Sequence, residues 1–374
     1  MVMPWQPDRL PAAIAGLRAY DPGHDLVAWR RRFPDALVEL GSNETAIGPS
    51  PQALAAARAA LAQAFRYPDP LAGDLRRALA ARQGVSPAQV VPGNGSHELL
   101  MQLVQAFVPA GAPLVYSQYG FAVFPIAAAA VGARAVCVPA LPDDHPDAPC
   151  GHDLEALAAA CDGDTRLLFL ANPNNPTGTW FAREALATLL RQVPASTLVV
   201  VDEAYGEFLP GGDAGSALGL LSTHPNLVVT RTFSKAYALA GLRVGYAIGH
   251  PGAMAVLERL RESFNVNNVA LAAAEAALAD GAHLRRVLAH TESERARMAA
   301  GLRALGLRVW PSSTNFLLAG FGTAEYCAQV EARLRGHAVI VRPMGGYGLP
   351  HTLRISIGSV AENDRLLQVM ERIL

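Results

Sequence analysis

Residues Thr197–Tyr205 read TLVVVDEAY. Leu198, Val199, Val200 and Val201 follow one another without the apolar–polar alternation of a strand that has one wet face. Such a run suits a strand buried on both sides, as in parallel sheets covered by helices on both faces. Asp202 ends the run, and a carboxylate there needs a cation or several donors beside it, because an unpaired buried charge is costly. In open α/β sheets, ligand clefts form at the carboxyl ends of the strands, which is where this aspartate stands.

Outward from this strand, short β-branched runs closed by Gly, Pro or Asn alternate with Ala-, Leu- and Arg-rich helical stretches from about Pro49 to Gly249. The expected strands are QVV before Pro92, PLVYS from Pro113, ARAVCV from Ala133, RLLFLA from Arg166, TLVVVD from Thr197 and NLVVTR from Asn226. The alternation predicts an α/β fold, a large domain with a mainly parallel sheet between helices. Beyond Gly249 come a long Ala-rich helical region and the short strand-like runs NFLLAG, HAVIVRP and LRISIG, which predict a smaller α+β domain. The expected division is 46–265 for the large domain, with 1–45 and 266–374 forming the small one. A Pro/Asp-rich loop, LPDDHPDAPCGHD from Leu141, is the one irregular segment between elements.

At 374 residues and 51% hydrophobic content, the chain has enough apolar surface for two unequal cores. Its net charge of -1 is spread without blocks, so no electrostatic footprint for nucleic acid or an anionic membrane is present. The uncharged run from Leu99 to Ala133 is interrupted by Gln102, Pro109, Pro113, Gln118 and Pro125, which argues against a membrane span. The N-terminus, MVMPWQPDRL, lacks the pattern of a secretory signal. Cys137, Cys150, Cys161 and Cys327 have no metal or redox spacing, nor do the histidines, so no metal site is expected. Cytoplasmic residence with reduced cysteines is the expectation, and the partners should be small molecules or a second copy of the chain.

Three polar residues follow closely on the ends of separate expected strands: Asn175 in NPNNPTG, Asp202 in VVVDEAY, and Lys235 in RTFSKAY. A fourth stretch, Gly93–Val104 (GNGSHELLMQLV), reads as a strand end, a glycine turn and a helix start. Glycines let backbone approach a ligand, and a helix N-terminus offers N–H groups and partial positive charge to a phosphate. Lys235 is the only lysine among the chain's 31 basic residues. Arginine serves wherever a fixed positive charge is needed, but it cannot be deprotonated to a nucleophilic amine. The surviving lysine therefore marks the place where a neutral amine is required, as in formation of a Schiff base.

On these residues the chain resembles the fold-type-I pyridoxal-phosphate aminotransferases and, among them, the histidinol-phosphate aminotransferases. The matching stretches are SNETAIGPSP, RYPDP, GNGSHELL, NPNNPTG, VVVDEAY, RTFSKAYALAGLRVG, NFLL, VRPMGGYGLP and LRISIG, in the family's order from about Leu40 to Gly358. The resemblance implies pyridoxal 5'-phosphate as cofactor, with Lys235 bound to its aldehyde and Asp202 paired with the pyridine nitrogen. It places Asn175 and Tyr205 on the ring's phenolic oxygen and Phe121 on its face. Gly95, Ser96, Ser234, Arg243 and Thr232 are implied around the phosphate, beside His97, which stands where the family more often has an acidic residue. Tyr67 is implied to reach the phosphate of a neighbouring subunit, which makes a homodimer part of the site. Tyr20, Asn43, Arg342 and Arg354 are implied on the substrate side, Arg354 gripping the α-carboxylate of glutamate through two parallel bonds.

The implied activity is amino transfer between glutamate and imidazole-acetol phosphate, giving histidinol phosphate in histidine biosynthesis with ping-pong kinetics. The same motifs are compatible with an aromatic amino-acid aminotransferase acting on phenylalanine or tyrosine, and with a phosphothreonine decarboxylase. A non-catalytic protein that keeps the fold for binding is the alternative of another class, and retention of Lys235, Asp202, Arg243 and Arg354 argues against it.

Overall fold

The structure, a computed structural model, describes residue 10, residues 12–17 and residues 23–374. Among these, thirteen strands occur: β1 Val38–Glu39, β2 Val90–Gly93, β3 Pro113–Ser117, β4 Arg134–Val138, β5 Leu167–Ala171, β6 Leu198–Asp202, β7 Leu227–Thr232, β8 Gly245–Gly249, β9 Arg308–Val309, β10 Phe316–Gly320, β11 Val339–Ile340, β12 Arg342–Pro343 and β13 Thr352–Ser356.

A seven-stranded sheet in the order β2-β8-β7-β6-β5-β3-β4 forms the centre of the molecule. The steps from β4 through β3, β5 and β6 to β7 are parallel, while β8 runs antiparallel between β7 and β2. The six strands expected from the sequence are β2 to β7. The seventh, β8 (GYAIG), lacks a long β-branched run and begins and ends in glycine, so it carries little signal of its own and is recruited by pairing with two neighbours.

The unalternating run of β6 behaves as its composition requires. Val199 and Val201 enter the hydrophobic cluster on one face of the sheet, and Val200 enters the cluster on the other. Each such valine contributes about 1.5–3 kcal/mol relative to an exposed position, which is why no polar residue interrupts the strand before Asp202.

Helices cover both faces. Pro51–Leu61 starts at Ser50, whose hydroxyl accepts from the amides of Gln52 and Ala53, with Pro51 preset for the first turn. This helix packs on Asn268–Ala279, whose buried alanines let two backbones approach closely. The 24-residue helix Gly281–Ala304 then runs from the large-sheet core, which Leu284 joins, to a second core that holds Met298, Ala299 and Leu302.

That second core lies beside a four-stranded antiparallel sheet, β12-β13-β10-β9, and a parallel pair, β1-β11. Val38 and Leu40 belong to it, so a segment near the start of the chain packs with its last hundred residues. Residues 41–45 leave this unit and cross to the carboxyl edge of the large sheet, where Asn43 meets Tyr205.

Candidate active site

The register of the large sheet sets Ala171 beside Asp202 and Asp202 beside Thr230. The carboxyl ends of β5, β6 and β7 therefore share one edge, and a cavity of about 240 Å³ opens there. Lys235 and Asp202 line it together with Tyr205, Asn175, Phe121, Thr232, Ser234, Ser96, His97 and Arg243 from the large domain. Asn43, Arg342 and Arg354 close it from the other side. Residues separated by some 300 positions in sequence thus meet in one concave site.

One end of the cavity is an anion cradle. Gly95, at φ +83°, precedes the helix Ser96–Phe107, whose N-terminus has no side-chain cap. That φ is one that residues with a side chain rarely adopt, and a Cβ at position 95 would also stand 2.6 Å from Arg243 Nη2 and push the guanidinium aside. Arg243 Nη1 donates to Ser234 Oγ at 3.4 Å, and Thr232 Oγ1 donates to the same oxygen at 3.0 Å. Helix N–H groups, two hydroxyls and a guanidinium therefore converge, the chemistry that holds a phosphate. Burial, and after it the positive charge of Arg243, lowers the pKa of His97, which favours a neutral imidazole beside the cradle.

Asp202 lies deeper and is 4% exposed. Thr230 Oγ1 donates to its Oδ1 at 2.8 Å, and among the described residues no cation forms an ion pair with it. Burial pushes its pKa up to about 7. A carboxylate so placed calls for a cationic partner from the cavity side.

Lys235 faces the middle of the cavity, its Nζ donating to Ser42 O and Asn43 O, both at 3.1 Å. Burial first, then the charge of Arg354, lowers its pKa to about 7, so a substantial share of the amine is neutral near neutral pH. Tyr205 is buried, which pushes its phenol up to about 12 and keeps its proton in place. Asn43 Nδ2 donates to that hydroxyl at 2.7 Å, and Ser356 Oγ donates to Asn43 Oδ1 at 3.2 Å.

The small domain supplies the two arginines. Arg342 on β12 and Arg354 on β13 are direct partners in an antiparallel pair, so their side chains rise from the same face of the sheet. Arg354 Nη1 donates to Asn175 Oδ1 at 2.6 Å and Nη2 donates to Gly41 O at 2.9 Å. Since a guanidinium only donates, the first bond assigns Oδ1 of the Asn175 amide to the Arg354 side.

Tyr67 is 82% exposed and stacks on Phe264 at 4.6 Å between ring centroids, outside the residues that line the cavity of its own chain. Tyr20 lies outside the described residues. Sequence reasoning missed Gly41 and Ser42, whose backbone carbonyls receive Arg354 and Lys235. A main-chain acceptor leaves no side-chain signature, and the sole local signal is Asn43, whose φ of 56° suits the residue type that best tolerates the left-handed region. Pro173 and Ala204 also line the cavity without having been expected.

Comparison with known proteins accounts for this arrangement. The family model for aminotransferases of class I and II matches residues 35–370. "Histidinol-phosphate aminotransferase 2" of Pseudomonas aeruginosa is 47% identical over 364 residues, covering 96% of this chain and 96% of its own. "Histidinol-phosphate aminotransferase 1" of Thiobacillus denitrificans is 44% identical and covers 97% of this chain and 93% of its own. Among solved structures, histidinol-phosphate aminotransferase from Sinorhizobium meliloti, in complex with pyridoxal-5'-phosphate, superposes with a TM-score of 0.88 at 36% identity, covering 98% of each chain. With a family match over most of its length, relatives similar over nearly the whole chain and the same fold, this chain belongs to the class I and II aminotransferase family.

Proposed function

We propose that the protein is a pyridoxal-phosphate-dependent aminotransferase that interconverts histidinol phosphate and 2-oxoglutarate with imidazole-acetol phosphate and glutamate. The observation that carries the substrate class is the pairing of Arg342 with Arg354 directly across two strands, both lining the cavity. Two guanidinium groups that rise from one face of the sheet and line one cavity suit an anionic ligand. An amino acid's carboxylate and a substrate phosphate are such ligands. The names of the relatives point to the same substrate.

The side chains fit the cofactor. The helix end at Gly95–Ser96, with Ser234, Arg243 and Thr232, suits its phosphate. Asp202, buried without an ion-pair partner among the described residues, suits the protonated pyridine nitrogen, while Tyr205 and Asn175 suit the phenolic oxygen and Phe121 the ring face. Lys235 is the amine for the aldehyde. When bound, the cofactor supplies a carbonyl that condenses with amines and a cationic ring that withdraws electrons from the neighbouring carbon.

The protein's own part follows from the charges. With the cofactor bound, Asp202 would hold a proton at the ring nitrogen, since a carboxylate gains by having a cation beside it in a dry site. Lys235 Nζ, whose pKa burial lowers to about 7, would take a proton from the substrate α-carbon and redeliver it to the carbon on the far side of the substrate nitrogen, two bonds away. Arg354, its plane fixed by Asn175 and Gly41, grips the α-carboxylate and orients that carbon. Donor and acceptor use one cavity in turn, so the kinetics are ping-pong.

The active form is a homodimer in this reading. Leu61, Phe65, Tyr67 and Leu71 are exposed large apolar side chains in and after the helix Pro51–Leu61, an area a second copy would cover. Tyr67 then reaches the partner's phosphate cradle. No helix among the described residues is long and apolar enough to cross a membrane.

The test is a half-reaction. Purified protein loaded with pyridoxal phosphate is mixed with histidinol phosphate and, separately, with phenylalanine, and the visible absorbance of the bound cofactor is followed. Bleaching by histidinol phosphate at the lower concentration is expected. Preference for phenylalanine makes the protein an aromatic aminotransferase, and release of carbon dioxide from phosphothreonine makes it a decarboxylase.

A further inference from the structure

Behind the cavity, on the opposite face of the sheet, lies a buried charged cluster that none of the chemistry above uses. Successive side chains of a strand alternate between faces. Asp202, which lines the cavity, and its register partner Thr230 share one face of the sheet, so Glu203 and Arg231 point to the other. Arg231 is 2% exposed. Its Nε and Nη2 donate to Glu203 Oε2 at 3.0 and 2.9 Å, and its Nη1 donates to Asp213 Oδ1 at 2.8 Å. Glu203 is saturated in turn, accepting from Ser216 Oγ at 2.6 Å and from the Ala217 amide at 2.7 Å.

The guanidinium also lies flat on backbone. A Cβ on Gly206 would stand 3.0 Å from Arg231 Nε and 3.1 Å from Cζ, so the chain immediately after Tyr205 passes in contact with it. One side chain therefore touches the residue that follows Asp202 and the residue that follows Tyr205. It is itself carried on the strand that delivers Thr232, Ser234 and Lys235.

Resting on the cofactor placement proposed above, we infer that Arg231 is a positioning residue: one buried fork locks the three segments that present Asp202, Tyr205 and Lys235 in a single mutual geometry. A buried ion pair is weak evidence for stability, because apolar replacements of the same volume are often equally stable. Its fixed, multidentate hydrogen bonds are better suited to setting the relative placement of segments, and reaction rates are sensitive to that placement. Glu207, whose two carboxylate oxygens accept no hydrogen bond among the described residues, completes the cluster, 3.7 Å from Arg231 Nη1.

The experiment compares wild type, Arg231→Lys and the paired variant Arg231→Met/Glu203→Gln, in which the introduced carboxamide oxygen still offers an acceptor to the Ala217 N–H. Four quantities are read: the melting temperature of the cofactor-free protein, the dissociation constant for pyridoxal phosphate, the pH midpoint of the visible absorbance change of the lysine-bound cofactor, and kcat and KM for glutamate. Arg231→Lys is expected to lower kcat by about tenfold or more with KM changed less than about twofold, and to move the pH midpoint by about half a unit or more. The paired variant is expected to restore the melting temperature without restoring kcat or the midpoint. If the paired variant recovers all three together, or if Arg231→Lys leaves kcat and midpoint within about twofold and a tenth of a unit, Arg231 serves packing alone.

Should neither variant yield folded protein, Asp213→Asn weakens the fork from its half-exposed end. A kcat lowered severalfold with a moved midpoint is then expected, and unchanged values overturn the inference. A wild-type protein that develops no visible absorbance with pyridoxal phosphate instead refutes the cofactor reading on which the inference stands.

Discussion

Replacing Arg354 by lysine keeps the charge and most of the volume but removes the fork. In the structure this guanidinium is 7% exposed and held in one plane by two bonds, Nη1 to Asn175 at 2.6 Å and Nη2 to Gly41 O at 2.9 Å. An ammonium carries its donors on one atom and cannot present two parallel N–H groups to a carboxylate. A hydrogen bond to a charged group is worth about 1.5–3 kcal/mol, and each 1.4 kcal/mol corresponds to a factor of ten. Losing one such bond to the substrate α-carboxylate raises KM for glutamate roughly 10- to 100-fold, with a smaller fall in kcat because Asn175 loses its anchor. Steady-state kinetics at saturating imidazole-acetol phosphate, with circular dichroism to check folding, give the two constants. A KM within about twofold of wild type in a folded Arg354→Lys protein would refute the assignment of this side chain to the carboxylate.

Further outcomes follow from the same geometry. Lys235→Ala is expected to bind pyridoxal phosphate without the visible absorbance of the lysine-bound form and to lose transamination; an unchanged spectrum would remove Lys235 from its role. The burial of Asp202 makes a pH prediction: its folded pKa of about 7 lies above the ordinary value of 3.8, so the native state holds a proton that the unfolded chain releases. That contribution is complete below the unfolded value and is lost as pH rises toward and through 7. The melting temperature of the cofactor-free protein should therefore fall more steeply between about pH 4 and 7 in wild type than in Asp202→Asn, and parallel curves would contradict the burial argument. Lys235, lowered to about 7 from 10.5, acts in the opposite sense above pH 7 and is common to both proteins, so the difference between the curves isolates the carboxyl. Phe65→Asp places a charge in the exposed apolar area after Pro51–Leu61; sedimentation should show a shift from dimer to monomer, and an unaltered dimer would move the interface elsewhere.

Much of the site was legible from residue chemistry. A single lysine in an arginine-rich chain, an aspartate at the end of an all-apolar strand and a glycine turn before a helix each break a local rule, and such breaks mark functional positions. All three reach the same cavity because parallel strands bring their carboxyl ends to one edge. The strand β8 escaped notice because its glycine-bounded sequence carries little propensity, and pairing on both sides makes up the deficit. The carbonyls of Gly41 and Ser42 escaped it because every residue has one, and only the path of the chain decides which carbonyl meets a cation.

The sequence by itself determined the buried parallel sheet and singled out Lys235 and Asp202 as candidates, since these depend on residue type and local pattern. Only tertiary structure decided that Arg342 faces Arg354 across two strands, and that the segment around Asn43 crosses from the second core to bind Tyr205 and Lys235. It likewise placed the Arg231 fork behind the site. These contacts join residues far apart along the chain, and their existence depends on loop closure and packing that no local pattern encodes.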